Sequence, residues 1–453
     1  MGVRRLSRRI PLGPTGYLSK MNEHKISRRK FLTTTAAGIA ATSLAKRGFA
    51  ASSKPIELRF FFRSAWPSSE PYNNWIIDQW NAKNGDRIHV TGSDADGETY
   101  KTKQTIELSS ASPPDVFYSW EGGRAGELID NGFAAELDSY YAKYGWDKRI
   151  IPAGQALATF DGKKYFLPTE LGASVVWYRK DLYAQLGLSV PKTWEELMAN
   201  AAKAKAAGIA PFMIANQKKW PSQFMWSAIF VNKHGLDAYN GLMGNKIAWT
   251  DPRTVDVTAM MKKLADDKMF EDSFNSLDLG PAMVLFSQGK VLHWYQGSFN
   301  LGRFRGDQPE CCVVPIDYFP MPQIGDSKPV MSVYAEDTHM IHAACPNKDA
   351  AAEFLNWYVS PEVAKKKLEI DKPFAATVDA DISKLTEMEQ RLAKAMGDSG
   401  SFTFMHVDHA VAPAISDRFL TEMQGVLAGA ITPEDAMKAT EDEAVRTRGP
   451  VKA

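Results

Sequence analysis

Aromatic rings placed next to carboxylates are the side chains of this sequence with the clearest chemistry. Trp66 and Glu70 follow a first predicted strand. Trp120, Glu121 and Arg124 follow a third predicted strand. A sugar presents flat C–H faces and a rim of hydroxyls, which proteins meet with aromatic rings and with carboxylates, amides and arginine. Such groups gather at strand ends in open α/β sheets, so the pattern predicts a carbohydrate-binding site.

Eight further candidates lie after predicted strands, after a crossing at Pro168 or in a loop that leads into a helix. They are Glu170, Trp220, Trp226, Gly297, Ser298, Phe299, Glu336 and Asp337. Each has a plainer alternative, because tryptophan often packs in a core and a carboxylate can be paired or solvated. Glu170, for example, could pair with a lysine instead of contacting a ligand.

The sequence lacks the motifs that would mark an enzyme or a metal site. It has no G-x-S-x-G, P-loop lysine, H-E-x-x-H or strand-linked G-x-G-x-x-G motif. His339 and His342 lie in a predicted strand, where a shared metal is not expected, and His406 and His409 give no stronger signal. Gly122-Gly123 before a helix could hold an anion, but two glycines are a weak signal. We expect no catalytic residue, no metal and no cofactor.

Residues 1–50 have the order of an export signal. Arg28-Arg29 precedes a short apolar stretch, 31–44, which is too short and too weakly apolar to span a bilayer. The paired arginines resemble those of a twin-arginine leader, and Ala50 is suited to precede the cut. No cysteine lies near that cut and no later stretch of sufficient length is apolar. We therefore expect a soluble periplasmic protein without a lipid anchor.

Removal of the leader changes the charge of the chain. The full chain has a formal net charge of +1. Residues 1–50 hold 11 Lys and Arg but one acidic residue, so the remainder has a net charge of −9. Phosphate binding needs a basic surface, so we expect no nucleic-acid partner. Cys345 can pair with Cys311 or with Cys312 in an oxidising compartment, and free thiols are the alternative.

Strand-like and helical segments alternate along the chain. The run 56–62 is rich in β-branched and aromatic residues, a helical stretch follows Pro71, and 88–90 and 115–120 are further strands. This alternation predicts an α/β fold, and the length predicts two domains. We find no internal repeat or low-complexity linker, which favours two lobes that interleave in sequence.

A series of short segments carries a family resemblance through nearly the whole chain after residue 50. Each segment is a weak signal by itself; the series comprises 58–62, 114–117, 128–132, 161–168, 177–183, 186–188, 191–197, 286–290, 351–355 and 360–363. In this order they resemble the family 1 extracellular solute-binding proteins of ABC sugar importers, a group that includes maltodextrin-binding proteins. Two positions depart from the family: Arg179 stands where Asn is frequent, and Gly297-Ser298-Phe299 replaces a frequent Gly-x-Trp.

The resemblance implies a periplasmic-binding-protein-like fold, with two α/β lobes joined by hinge segments around a ligand cleft. The first lobe would comprise 52–169 plus 323–370 and the second 170–322 plus 373–453, with 371–373 as the last crossing. The protein would capture a mono- or oligosaccharide by lobe closure. As a monomer, it would deliver the sugar to a permease that it contacts directly and that ATPase subunits drive.

Two other functions stay open at this level. A sugar-binding subunit that feeds a membrane sensor would have the same closing lobes. An exported glycosidase or lyase would use Glu70 or Glu121 as its acid or base. Neutral sugars, polyols and cationic derivatives are all compatible with the candidate residues, whereas an anionic sugar is favoured only if Arg63, Arg124 or Lys372 faces the cleft.

Overall fold

The computed structural model of the protein describes residues 54–64, 69–306, 313–370, 374–399 and 403–451. Several sequence predictions lie outside these residues: the export signal, the candidate Trp66, the pair Cys311-Cys312 and the crossing 371–373. Cys345 is buried and forms no disulfide within the residues that the structure describes, so its predicted pairing with Cys311 or Cys312 stays a prediction. Within the described ranges, no helix combines the length and the apolar character needed to cross a membrane.

The described residues form an α/β structure. Its strands are β1 (Ile56–Arg63), β2 (Ile88–Ala95), β3 (Val116–Ser119), β4 (Thr159–Phe160), β5 (Lys163–Lys164), β6 (Leu167–Arg179), β7 (Ala210–Met213), β8 (Val291–Gly297), β9 (Ile316–Phe319), β10 (Ser332–Ile341) and β11 (Phe374–Ala375). The helices up to the middle of the chain are α1 (Ser69–Asn84), α2 (Gly97–Leu108), α3 (Gly122–Asp130), α4 (Asp138–Tyr144), α5 (Trp146–Arg149), α6 (Pro152–Leu157), α7 (Lys180–Leu186), α8 (Trp194–Ala206), α9 (Pro221–His234) and α10 (Leu236–Met243). The later helices are α11 (Pro252–Asp266), α12 (Leu279–Ser287), α13 (Leu301–Phe304), α14 (Lys348–Tyr358), α15 (Pro361–Ile370), α16 (Glu387–Ser399), α17 (Val407–Ala410), α18 (Pro413–Leu427) and α19 (Pro433–Arg448).

Two long strands join the halves of one mixed sheet. Its order is β2-β1-β3-β10-β6-β8-β7, and β9 and β11 also pair with β6. β6 is buried over its whole length, pairs with β10 from Leu167 to Ser174 and pairs with β8 and β9 from Ser174 onwards. The sequence predicts only residues 175–178 of this strand. The full length of β6 depends on pairing with β10 and β8, which are distant in the chain.

Separate apolar cores define the two lobes. The cores around β1, β2 and β3 include Phe60 and Phe354 on one face and Phe117 and Leu128 on the other. The cores around β7, β8 and β9 are built from elements between β6 and α19, together with Ala153 of α6. We call these halves the first and the second lobe, and this two-lobed α/β fold confirms the predicted fold class.

The lobe bounds themselves remain a prediction. Met321 and Ile324 pack in a second-lobe core, although the predicted first lobe begins again at 323. Val333, at the start of β10, also packs in a second-lobe core, whereas Ala335 belongs to a first-lobe core. The apolar packing therefore changes lobe within β10.

Local sequence signals fixed several helix starts. At α8, Thr193 accepts a hydrogen bond from the backbone N–H of Glu196, and the Glu196 carboxylate accepts one from the N–H of Lys192. Such reciprocal bonds satisfy N–H groups that a helix leaves unpaired at its start. Pro221, Pro252 and Pro433 each occupy a first helical turn, where a missing N–H costs nothing.

Candidate functional site

A cleft of about 330 Å³ lies between the lobes. From the first lobe it is lined by Arg63, Asp96, Gly97, Lys101 and Trp120, and β10 contributes Tyr334 and Glu336. From the second lobe it is lined by Lys218, Trp220, Phe224, Asp278, Leu279, Gly280, Phe299, Arg303, Asp408 and His409. This volume is at the small end of the range for small-molecule sites.

Trp120 forms the first-lobe aromatic wall directly after β3. Its ring is surrounded by cations: the Arg63 guanidinium carbon lies 5.4 Å, the Arg124 guanidinium carbon 5.6 Å and the Lys101 Nζ 5.6 Å from a ring centroid. Tyr118 packs edge-on against it at 4.9 Å. Such contacts fix the orientation of the indole ring. Arg124 is not among the residues that line the cleft, and its predicted contact with the ligand stays a prediction.

Three rings form the second-lobe aromatic wall. Trp220 precedes α9, Phe224 lies in its first turn, and Phe299 follows β8. The ring centroids of Trp220 lie 5.3 Å from Phe224 and 6.1 Å from Phe299. The two walls give the cleft aromatic surface on both sides, which suits a ligand with flat apolar faces.

Gly297 allows the strand ends behind this wall to approach closely. A Cβ atom at Gly297 would lie 2.2 Å from the Phe299 ring and 2.3 Å from the Tyr334 hydroxyl. Neighbouring Ser298 is buried, and its hydroxyl accepts a hydrogen bond from the backbone N–H of Ala173 on β6. Both residues therefore position Phe299 and Tyr334, and neither lines the cleft.

Arg63 and Glu336 place opposite charges at the base of the cleft. The Arg63 Nη2 atom lies 3.9 Å from Glu336 Oε1 and 3.5 Å from Asp337 Oδ1. Burial raises the pKa of Glu336 to about 7; Arg63 opposes this rise and Asp337 adds to it. Arg63 is thus an arginine that faces the cleft but is already paired with carboxylates.

A buried charge cluster lies behind these groups. Lys367 Nζ lies 2.6 Å from Glu170 Oε2 and 3.3 Å from Asp337 Oδ2, and it stands 4.4 Å from the ring centroid of Tyr72. Burial by itself would lower the pKa of Lys367, but Glu170, Tyr72 and Asp337 outweigh it and hold that pKa well above its usual value. Glu170 therefore pairs with a lysine, which was the alternative to its predicted contact with a ligand.

A histidine bridges the lobes at the other side of the cleft. His409 Nδ1, on α17 of the second lobe, lies 2.9 Å from Glu121 Oε1, the residue preceding α3 of the first lobe. His409 Nε2 lies 3.7 Å from Asp408 Oδ1. Burial alone would lower the pKa of His409, but the two carboxylates outweigh it and raise that pKa. An N–H at His409 Nδ1 can therefore donate to the Glu121 carboxylate.

Several buried polar atoms beside the cleft lack a hydrogen-bond partner among the described residues. Within the ranges that the structure describes, Glu121 Oε2, Asp408 Oδ1 and Arg63 Nε make no hydrogen bond. Buried polar groups are normally paired because an unpaired one costs about 1–3 kcal/mol. The site therefore offers both acceptors and a donor to a polar ligand or to water.

The structure brings some of the sequence candidates together and separates others. Trp120, Trp220, Phe299 and Glu336 line the cleft, and Glu121 and Asp337 contact residues that do. Glu70 is exposed in the first turn of α1 and is absent from the lining.

Trp226 lies in the second-lobe core, fully buried, and donates its indole N–H to Thr258 Oγ1 at 2.9 Å. Its position between buried rings of Phe230, Trp249 and Phe419 makes it a packing residue.

Sequence reasoning missed lining residues that stand at helix starts. Asp96 caps α2 by accepting from the N–H of Thr99, and Asp278 caps α12 by accepting from the N–H of Leu279. Asp-Gly after a predicted strand and Asp-Leu-Gly before a helix were the available signals. No local sequence signal marks Lys218, Arg303 or the Asp408-His409 pair as cleft residues, because distant elements bring them there. The described residues contain no cluster of His, Cys, Asp and Glu suited to a metal.

The pKa of Glu336 predicts a pH dependence of stability. A carboxyl whose pKa is about 7 in the folded protein and near 4.5 when unfolded stabilises the fold at low pH, and this contribution is lost as pH rises through 7. We expect this group to lower the free energy of unfolding by about 1.4 kcal/mol from pH 6 to pH 8. Urea unfolding of wild type and Glu336→Gln at both pH values measures it. An equal pH dependence in both proteins would contradict the prediction.

This chain is similar in sequence to known binding proteins. A family model described as "Bacterial extracellular solute-binding protein" matches residues 65–365. The alpha-glucosides-binding periplasmic protein AglE of Rhizobium meliloti is 26% identical over 323 residues, covering 65% of this chain and 69% of that protein.

Solved structures are similar over most of the chain. One, from work on xylan utilization by the thermophilic bacterium Caldanaerobius polysaccharolyticus, has a TM-score of 0.78 at 23% identity and covers 86% of this chain and 100% of its own. The bacterial solute receptor AcbH, described as preferring β-D-galactopyranose exclusively, has a TM-score of 0.77 at 19% identity and covers 86% and 98%. These structures show the fold, and the family match spans well over half of the sequence. The chain therefore belongs to the bacterial extracellular solute-binding proteins.

Proposed function

We propose that this protein is the substrate-binding subunit of an ABC importer and captures a mono- or oligosaccharide between its lobes. The observation that carries the proposal is that both lobes contribute aromatic rings to the cleft lining, Trp120 from one lobe and Trp220 with Phe299 from the other. Aromatic rings on both sides of a cleft match the two apolar faces of a pyranose ring. The volume of about 330 Å³ favours a ligand of one or two sugar units.

The polar groups of the cleft support the same ligand class. Asp408 and Arg63 line it, and each has a buried atom that makes no hydrogen bond among the described residues, while Glu121 lies directly behind His409. Sugar hydroxyls both donate and accept, so they suit a mixture of carboxylates and guanidinium groups. AglE, named as binding alpha-glucosides, and AcbH, described as preferring a galactopyranose, are relatives with this ligand class.

Closure of the lobes is the proposed capture step. β6 and β10 run through both lobes, so rotation at these strands would move the two aromatic walls together. We propose further that the protein is exported by the leader in residues 1–50, acts in the periplasm as a monomer without a lipid anchor, and contacts the permease directly. The family contains binding proteins, and we expect this chain to bind its sugar without converting it.

A thermal-shift screen of residues 51–453 tests the ligand class. We expect at least one neutral mono- or disaccharide, among glucose, galactose, maltose and xylobiose, to raise the melting temperature. Ligand at about 100 times its Kd would add about 2.7 kcal/mol to the free energy of unfolding. Mass spectrometry of the incubated sugar should recover it unchanged. A hit with a peptide or a phosphate ester and with no carbohydrate would overturn the proposal.

A further inference from the structure

We propose that the start of α3 and the segment around α17 form a closure seam, and that Gly123 and the Glu121–His409 pair are positioning residues that couple ligand contact to lobe closure. The seam comprises residues 121–123 of the first lobe and 405–411 of the second. This inference rests on the proposed capture of a sugar between the lobes, and it adds the contact that holds them together.

The two sides of the seam belong to different lobes. Ala125 and Leu128 of α3 pack in a first-lobe core. Val407 and Val411, at either end of the α17 segment, pack in a second-lobe core. Contact between these segments is therefore a contact between lobes, and it must form or break when the lobes rotate against each other.

Glycine at the start of α3 permits an unusually close backbone approach. A Cβ atom at Gly122 would lie 2.0 Å from the carbonyl oxygen of His409, and one at Gly123 would lie 2.3 Å from the carbonyl carbon and oxygen of Val411. Real side chains do not come this near to a backbone, and a backbone cannot rotate aside as a side chain can. A side chain at either position would hold the lobes apart.

Gly122 and Gly123 differ in what else they require. Gly122 has φ of +66°, in the left-handed region that favours glycine, so its replacement would also strain the backbone. Gly123 is not among the residues with positive φ, so alanine fits its backbone and is a better helix former. The substitution Gly123→Ala therefore tests the approach of the lobes with little effect on the first lobe itself.

The ion pair joins the seam to the cleft. Glu121 is fully buried and accepts a hydrogen bond from His409 Nδ1 across the seam. His409 and Asp408 also line the cleft, where Asp408 Oδ1 has no hydrogen-bond partner among the described residues. A sugar hydroxyl that donates to this atom would bind next to the histidine that ties the lobes. Ligand contact and lobe contact thus meet at two adjacent residues.

Gly126→Ala is the matched control for Gly123→Ala. Gly126 lies in the same helix, and a Cβ atom there would meet only the Phe160 ring at 3.7 Å, an ordinary contact. For the sugar with the largest thermal shift among glucose, galactose, maltose and xylobiose, we expect Kd to rise at least about tenfold in Gly123→Ala, because the closed form becomes less populated. We expect a change within about twofold in Gly126→Ala.

Small-angle X-ray scattering measures lobe closure through the radius of gyration. A substitution that disturbed only the local packing would not change this closure. With saturating sugar, wild type and Gly126→Ala should become more compact, and Gly123→Ala should keep a larger radius of gyration. The ligand-free melting temperature should be similar in all three. Glu121→Gln, which preserves side-chain shape but removes the charge, should weaken binding at least about threefold and serves if Gly123→Ala does not fold.

Failure of the seam and failure of the proposed function give different results. A wild-type chain that binds a peptide or a phosphate ester and no carbohydrate contradicts the proposed function. A Gly123→Ala chain that binds and compacts like wild type overturns the seam. With saturating sugar, hydrogen exchange at 121–125 and 405–411 should be faster in Gly123→Ala than in Gly126→Ala, and equal exchange would contradict the seam.

Discussion

Replacing Lys367 by methionine is expected to lower the free energy of unfolding by about 3–5 kcal/mol, the usual cost of breaking a buried ion pair from one side. The Lys367 ammonium lies 2.6 Å from Glu170 Oε2 and 3.3 Å from Asp337 Oδ2. The side chains of Lys367 and Glu170 are each only 4% exposed, so water cannot replace the lost partner. Urea unfolding monitored by circular dichroism measures the loss.

Lys366→Met is the matched control for this change. Lys366 is the preceding residue of α15, and its ammonium pairs with Glu369 at 3.2 Å in an exposed i,i+3 arrangement. Exposed pairs contribute about 0–1 kcal/mol, so the control should change stability little. Equal losses in both variants would show that the cluster beneath the cleft contributes no more than a surface pair. The double variant Lys367→Met with Glu170→Gln should recover part of the loss, because it removes one unpaired charge.

Replacing Trp220 by alanine is expected to weaken sugar binding about 30-fold, equivalent to about 2 kcal/mol, as is usual for a central aromatic contact. Trp220 lines the cleft on the second lobe, is only partly buried, and packs against Phe224 and Phe299. Its ring packs only partly against the second-lobe cores, so part of it is available to the ligand. Isothermal titration calorimetry with the sugar found by thermal shift measures the change.

Trp75→Ala supplies the control for a tryptophan outside the cleft. Trp75 is partly buried on α1, where it stacks with Trp357 at 6.4 Å and does not line the cleft. Its loss should leave Kd within about twofold. Trp220→Phe should retain much of the affinity because a smaller ring still covers the sugar face. Equal Kd values for wild type and Trp220→Ala would contradict the assignment of this wall to the ligand.

Local signals were enough for most elements that surround the site. The predicted helices after Thr193, Pro252 and Pro433 all form, because their caps and first-turn prolines act within a few residues. The family resemblance, carried by short segments along the chain, gave the two-lobed fold that the structure has. The departure of Gly297-Ser298-Phe299 from the family pattern still leaves an aromatic ring, Phe299, on the cleft.

Individual site residues were harder to predict, because type and position in sequence do not reveal exposure. Trp220 and Trp226 are six residues apart and have the same chemistry, yet one lines the cleft and the other fills a core. Trp220 stands before the first turn of α9. Trp226 lies within α9, where nearly every residue is buried. Only the packing of α9 between other second-lobe elements distinguishes them.

The sequence by itself determined the class of this protein: an acidic chain beyond residue 50, α/β alternation, aromatic and carboxylate pairs at strand ends, and a family resemblance. Tertiary structure decided the partners of the charges. Glu170 meets Lys367 and Glu121 meets His409, pairs separated by roughly 200 or more residues in sequence. It also placed Gly122-Gly123, a weak candidate for anion binding, against the backbone of His409 and Val411. Local signals reach a few residues, whereas these contacts depend on how distant segments fold together.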